Sequence, residues 1–271
     1  KKVQTKLMCE RFYDDGVIYW PGAVTNESLQ LAREAYQWSL DHLGPAAGNI
    51  PSKNPGTFYQ DLANPEAFPV YEALIRHPDI VAIIRKLFPG DHAWFMYEQV
   101  FKKYGGDTRR TPWHQDTPYL PVRGNDLAVF WISFDSLDEQ RSLEFVRKSH
   151  RGILYDGSAF DPNDDTRGLY NDPACPLLPD VETRRDDFDL VVFPVEPGDE
   201  VVFHPSTLHG GGPTHQSETR STLSLRFFGD DAVVASRPGA KRTGKNGHPL
   251  NQVSVQQDGS PFRHEGFPQI Y

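Results

Sequence analysis

His114 and Asp116 stand two residues apart in Thr111-Pro112-Trp113-His114-Gln115-Asp116-Thr117. On a strand, residues two apart project to one face, so this imidazole and this carboxylate are expected to enter the same space. Two protein ligands hold a metal poorly, and a third is required. His209 is the candidate, in Phe203-His204-Pro205-Ser206-Thr207-Leu208-His209-Gly210-Gly211-Gly212. It follows a strand-like stretch and precedes glycines that permit a tight turn. Two histidines and one carboxylate on one face form the set used by non-haem Fe(II) oxygenases, with other positions open to a co-substrate and O2. The chain has ten histidines, so His204, His150 and His215 compete with His209 on spacing alone.

Arg220 lies eleven positions after His209 and opens Arg220-Ser221-Thr222-Leu223-Ser224-Leu225-Arg226-Phe227-Phe228. Arg220, Thr222, Ser224 and Arg226 alternate with apolar residues, which predicts a strand with one polar and one apolar face. The apolar face is expected to pack outward on helices and the polar face to look into a barrel. A buried guanidinium requires an anion, and its planar fork suits a carboxylate. That carboxylate belongs either to the protein or to a ligand. Arg226, on the same face, is read as a partner for an acidic group of the substrate or for a protein carboxylate.

The elements that must position these residues fall into two groups. Before residue 90 the pattern is helical: apolar residues from Leu29 to Leu43 follow a 3.6-residue period with Asn26 as N-cap. Ala67–Ile75 and Asp79–Leu87 read as further helices, the last ended by Pro89-Gly90. Beyond residue 90, the runs 94–102, 127–134, 190–194, 200–203 and 219–228 are short, β-branched or aromatic, and separated by turn residues. Helices first and strands afterwards predict helices packed on one sheet of a β-barrel or sandwich. Residues 151–189 interrupt the strands with ten carboxylates between Asp156 and Asp189. They read as a long acidic insertion, either a solvated connection or a lid. Residues 237–271 read as an extended tail.

Composition narrows the function classes. With 38% hydrophobic and 24% charged residues, the chain is an ordinary globular sequence. Its 271 residues suffice for one large domain: a mainly helical part over 1–90, a core over 91–236 and the tail. The net charge of −9 argues against nucleic acid or an anionic membrane as partner. Cys9 and Cys175 fit no C-x-x-C pattern and read as two free thiols in a reducing compartment, hence a cytoplasmic location. No run of about 18 apolar residues is present, so no membrane span is expected. Oligomeric state is left open.

Taken in order, these stretches resemble the phytanoyl-CoA dioxygenase family of Fe(II)- and 2-oxoglutarate-dependent oxygenases. Phe12-Tyr13-Asp14-Asp15-Gly16-Val17 resembles the family's glycine-containing entry strand. Pro112-Trp113-His114-Gln115-Asp116 matches its H-x-D motif, and Phe130-Trp131-Ile132-Ser133 the next core strand. Ser142-Leu143-Glu144-Phe145 with Ser149-His150 resembles the segment that ends in Gly-Ser-His. Gly198-Asp199 through His209 to Arg220 matches the distal motif, and the likeness runs from about residue 11 to 230. Two departures stand out: Lys148 replaces the glycine before Ser-His, and Gly211 replaces a serine common two residues after the distal histidine.

The resemblance implies a mainly β fold with flanking α-helices: a double-stranded β-helix, or jelly roll. It implies Fe(II) on His114, Asp116 and His209, with 2-oxoglutarate and O2 as co-substrates. Arg220 would anchor the far carboxylate of 2-oxoglutarate, helped by Thr222. Gln99, Thr111 and Trp131 would line the same pocket, and Tyr119 with Arg226 would meet the substrate. The implied reaction oxidises a C–H bond of a small-molecule metabolite with release of succinate and CO2. Related halogenases have a small residue in place of the carboxylate ligand, so Asp116 implies hydroxylation or another oxidation. A CoA thioester is disfavoured, because no basic cluster meets its phosphates. The alternative is a cupin-like metal-dependent isomerase or hydrolase on the same barrel, which needs no Arg220.

Overall fold

A computed structural model describes residues 2–238 and 247–271. The chain opens with helix α1 (Lys2–Asp15), strand β1 (Val17–Trp20) and helix α2 (Asn26–Asp41). Strands β2 (Gly48–Asn49) and β3 (Thr57–Leu62) precede helices α3 (Phe68–Ile75) and α4 (Pro78–Leu87). The β-rich core follows: β4 (Ala93–Tyr104), β5 (Thr111–His114), β6 (Val122–Arg123), β7 (Leu127–Ser133) and β8 (Leu143–Val146). After the acidic insertion come β9 (Leu190–Val192), β10 (Glu200–Phe203), β11 (His209–Gly211), β12 (Arg220–Gly229) and β13 (Val233–Val234), then helix α5 (Pro249–Val253).

The strands form a mainly β jelly roll. A seven-stranded antiparallel sheet has the order β1-β10-β7-β12-β4-β3-β2 and faces a four-stranded sheet of order β5-β11-β8-β9. The helices before residue 90 pack on the outer face of the larger sheet. There Phe130, Ile132, Leu223, Leu225 and Phe227 share one core with Tyr71, Ile80, Ile84 and Leu87. The inner face of the same sheet presents Val129, Trp131, Val201 and Phe203 to Leu143 and Phe145 of the small sheet. Alternation along β7 and β12 therefore sorts residues to the helix side or to the interior. Each of Leu223, Leu225 and Phe227 is fully buried, which stabilises the fold by about 1.5–3 kcal/mol per side chain.

Three expectations need correction. The N-cap of α2 is Thr25, whose side-chain oxygen accepts from Ser28 N, and Asn26 is the first helical residue. Thr25 Oγ1 also donates to Asp79 at the start of α4, tying the two helices together. Phe12–Asp15 belong to α1, and the strand starts only at Val17, after Gly16 at φ +80°. What anchors this helix is remote in sequence: Phe12 is buried in the main core and the Tyr13 hydroxyl donates to Asp126. Of the tail read at 237–271, residues 239–246 lie outside the described residues. Its remainder holds a short helix and sends Leu250, Val253, Phe262 and Phe267 into a core with Met96 and Phe228.

His248 caps α5: its Nδ1 accepts from Leu250 N, while Nε2 is buried without a partner among the described residues. Burial pushes this imidazole down from 6.5 to about 4. The unfolded chain then binds a proton that the folded chain refuses, so this contribution to stability is full above 6.5 and lost as pH falls toward 4. A difference of two to three pKa units is worth about 3 kcal/mol. His248→Asn retains the cap acceptor and should flatten the acid limb of melting temperature against pH between 6.5 and 4. An unchanged slope would show that His248 does not carry it.

Candidate metal centre

β5 and β11 pair antiparallel with His114 directly opposite His209. Opposed residues bring their side chains together, and the two imidazole centroids lie 4.3 Å apart. Asp116 arrives differently from the expected strand geometry. β5 ends at His114, and Asp116 has helical backbone angles at the head of a short 3-10 turn, Thr117–Tyr119. The backbone N–H groups of Asp116 and Thr117 both donate to the Pro205 carbonyl, 2.7 and 3.1 Å away, and this fixes the turn. Gln115 locks it from behind, donating to the Ile153 and Ser206 carbonyls and accepting from Tyr155 N.

The three side chains converge. Asp116 Oδ1 is 3.4 Å from His114 Nε2 and 3.7 Å from His209 Nε2. One ligand atom from each residue lies within 4.8 Å of the others, and all three residues are buried. Each histidine places Nδ1 against a backbone carbonyl: Pro112 O at 2.8 Å for His114, Thr207 O at 2.9 Å for His209. A carbonyl only accepts, so Nδ1 carries the proton and Nε2 keeps its lone pair. In that tautomer the two imidazole Nε2 atoms and a carboxylate oxygen face one another. That donor set fits a divalent transition metal, with ring orientation held by the outer carbonyls.

Electrostatics agrees. Burial, and next the neighbouring His114, push His209 down to about 3, so it stays neutral. Burial alone would raise the Asp116 carboxyl, but the Arg226 guanidinium and then the histidines override it and hold it well below the usual carboxylate range. Arg226 NH2 donates to Asp116 Oδ2 at 2.8 Å, leaving Oδ1 for the histidine side. Of the two partners expected for Arg226, the structure supplies the protein carboxylate.

A cavity of about 290 Å³ opens from this triad between the sheets. Arg220, Thr222, Gln99, Thr111, Trp131, Tyr119 and Arg226 all line it. Arg220 is 5% exposed, donates to the Gly212 carbonyl at 2.8 Å and lies 5.5 Å from the Trp131 ring centre. Among the described residues it forms no ion pair with a carboxylate. Gln99 Nε2 donates to Gln60, and the Tyr119 hydroxyl to Ser158 O. The rival histidines lie elsewhere. His204 donates to Gly124 O and accepts from Ser206 N, His150 bonds Tyr13 O, and His215 is exposed.

Sequence reasoning missed Lys103, Phe58 and Phe160. Lys103 follows Tyr97, Gln99 and Phe101 at alternate positions of β4, and all four line the cavity, so the strand period carried a signal. Phe160 comes from the acidic insertion and packs edge-on to His114 at 5.2 Å; no local pattern marks it. Arg109 holds this part of the insertion in place, donating to the carbonyls of Phe160 and Asp161 and to the Asp165 carboxylate. Of the two departures from the family pattern, the glycine has a steric basis, and the lysine stands where a glycine would be less strained. Gly211 has φ +128°, and a Cβ there would meet Ser142 O at 2.6 Å, so a serine does not fit. Lys148 adopts φ +65°, the left-handed conformation that glycine takes most easily.

No helix among the described residues is long and apolar enough to cross a membrane. A Rattus norvegicus protein named phytanoyl-CoA dioxygenase, peroxisomal, is 25% identical over 227 residues, covering 82% of this chain and 60% of that protein. This chain therefore spans less than two thirds of that relative's length. A probable alpha-ketoglutarate-dependent hypophosphite dioxygenase from Stutzerimonas stutzeri is 25% identical over 215 residues, 76% of this chain and 72% of the relative. Among solved structures, the non-heme alpha ketoglutarate dependent epimerase of nogalamycin biosynthesis superposes with a TM-score of 0.72 over 100% of both chains at 18% identity. That epimerase has also been crystallised with Fe3+, alpha ketoglutarate and nogalamycin RO. The phytanoyl-CoA dioxygenase (PhyH) family pattern matches residues 12–222. With triad, fold and match in agreement over most of its length, the chain belongs to the phytanoyl-CoA dioxygenase family.

Proposed function

We propose that this protein is an Fe(II)- and 2-oxoglutarate-dependent dioxygenase that hydroxylates or otherwise oxidises a C–H bond of a small-molecule metabolite. One observation carries the reading: a converging His-Asp-His cluster and a buried arginine with no carboxylate partner among the described residues line the same cavity. His114, Asp116 and His209 hold the iron. Arg220 binds the far carboxylate of 2-oxoglutarate, with Thr222 beside it on the same strand face and Gln99, Thr111 and Trp131 around it. When bound, iron and 2-oxoglutarate supply the O2-dependent oxidising chemistry, with release of succinate and CO2.

The protein contributes orientation and dryness. Arg226 fixes the Asp116 carboxylate, and the two backbone carbonyls fix the imidazoles. Tyr119, Phe160, Phe58 and Phe101 give the cavity apolar walls that exclude water and seat an apolar part of the substrate. Residues 151–189 act as a lid through Phe160, and residues 1–271 act as one oxygenase domain. The net charge of −9 supports a small-molecule partner over nucleic acid. The unpaired Cys9 and Cys175 support a cytoplasmic setting.

Screening candidate substrates for succinate release tests the reading: turnover should require both Fe(II) and 2-oxoglutarate. Turnover that ignores 2-oxoglutarate would contradict it. Arg109→Ala, which frees Phe160 and Asp161, should raise the succinate formed per substrate oxidised. Unchanged coupling would remove the insertion from the mechanism.

A further inference from the structure

Lys103 is 2% exposed, an unusual place for a lysine. It is the direct cross-strand partner of Arg220 on β4 and β12. The two side chains share one acceptor: Lys103 Nζ lies 2.7 Å and Arg220 NH1 2.8 Å from the Gly212 carbonyl oxygen. Lys103 Nζ also reaches Arg109 O at 2.9 Å and Thr111 Oγ1 at 3.2 Å. Among the described residues neither Lys103 nor Arg220 pairs with a carboxylate. Asp135 acts on Arg220 from a distance, and its carboxylate accepts from Ser221 N.

The three contacts of Nζ admit two protonation states. As an ammonium, Lys103 donates to both carbonyls and to Thr111 Oγ1. As an amine it has two protons for the carbonyls and one lone pair, which Thr111 satisfies by donating its hydroxyl hydrogen. The hydroxyl is the one partner of the three that can reverse. Thr111 also lines the cavity, so when Lys103 is an ammonium the Thr111 hydrogen is free to turn inward.

We propose that entry of the 2-oxoglutarate dianion draws a proton from solvent onto Lys103 Nζ, and that Thr111 then turns its hydroxyl from Lys103 toward the bound carboxylate. Lys103 is thus a positioning residue that matches the charge of the site to its occupant. The inference rests on the oxygenase reading above. The surroundings favour an amine while no anion is present. Burial first, then Arg220, Arg110 and Arg109, push Lys103 well below its ordinary range. The facing groups are Arg220 from β12, Arg109 and Arg110 from the segment before β5, the Gly212 carbonyl after β11 and the Phe58 ring of β3 at 4.2 Å. The carboxylates nearby are already engaged: Asp165 pairs with Arg109, and Glu144 and Glu182 with Arg110. An entering dianion reverses this balance.

Calorimetry of 2-oxoglutarate binding to the Fe(II)-loaded, oxygen-free protein tests this, run in buffers of different ionisation enthalpy. Wild type should take up a proton on binding, and its affinity should fall by up to about tenfold per pH unit where Lys103 is an amine in the free protein and an ammonium in the complex. Lys103→Met should bind more weakly with no proton uptake. Lys103→Arg, charged at all pH values tested, should bind without uptake and with an affinity independent of pH. A merely structural lysine moves melting temperature but not the buffer dependence of the heat. Binding without proton uptake in wild type, which needs no variant, overturns the proposal alone. Failure of 2-oxoglutarate to bind at all overturns the oxygenase reading and this inference with it.

Discussion

His209→Ala is expected to abolish iron retention and 2-oxoglutarate turnover while leaving the barrel folded. His209 supplies one of three converging lone pairs, and its ring sits directly across the sheet from His114. Without it, His114 and Asp116 remain as a two-point site. Removing an outer partner of a metal ligand costs about 10–100-fold in metal affinity, and loss of the ligand itself should exceed that. The barrel should survive, because His209 is one position of a strand paired on both sides by backbone bonds. Iron content after gel filtration and the far-ultraviolet spectrum check both halves. Full iron occupancy in the variant would mean that a different histidine completes the site.

Arg220→Leu should separate iron binding from co-substrate binding. The guanidinium is buried and has no carboxylate partner among the described residues, so the leucine leaves no protein anion stranded. A bound 2-oxoglutarate, by contrast, loses its ionic fork. Truncating one side of a buried, hydrogen-bonded charge pair costs about 2–5 kcal/mol, which corresponds to a dissociation constant higher by roughly 30-fold to several thousand-fold. Iron affinity should change little, since Arg220 touches no ligand. Arg220→Lys keeps the charge but loses the planar fork, and should fall between the two. Equal 2-oxoglutarate affinity in Arg220→Leu and wild type would remove this residue from the pocket and favour a cupin-like metal enzyme.

Much of the site was legible because its information is local or periodic. The two faces of β12 follow from alternation alone: Leu223, Leu225 and Phe227 meet the helices while Thr222, Ser224 and Arg226 line the cavity. The chemistry of His114 and Asp116 was legible, but their geometry was not. The turn that delivers Asp116 depends on the Pro205 carbonyl, a contact almost ninety residues away in sequence that no window around the motif contains. Only the last turn of α1, Phe12–Asp15, resembles a strand in the sequence, and for a similar reason, since its anchors lie on distant elements. Phe160 belongs to a segment dominated by carboxylates, where composition points to solvent. Lys103 lies in phase with Gln99, yet lysine is so rarely buried that composition argued against its face.

The central claim is that His114, Asp116 and His209 hold iron beside a 2-oxoglutarate site anchored by Arg220. The most direct measurement is the visible spectrum of metal-free protein under anaerobic conditions, recorded as Fe(II) and 2-oxoglutarate are added. The account predicts a weak charge-transfer band that needs both additions, disappears in His114→Ala and weakens in Arg220→Ala. Absence of the band, together with tight zinc binding, would contradict it and leave the barrel to hydrolytic or isomerase chemistry.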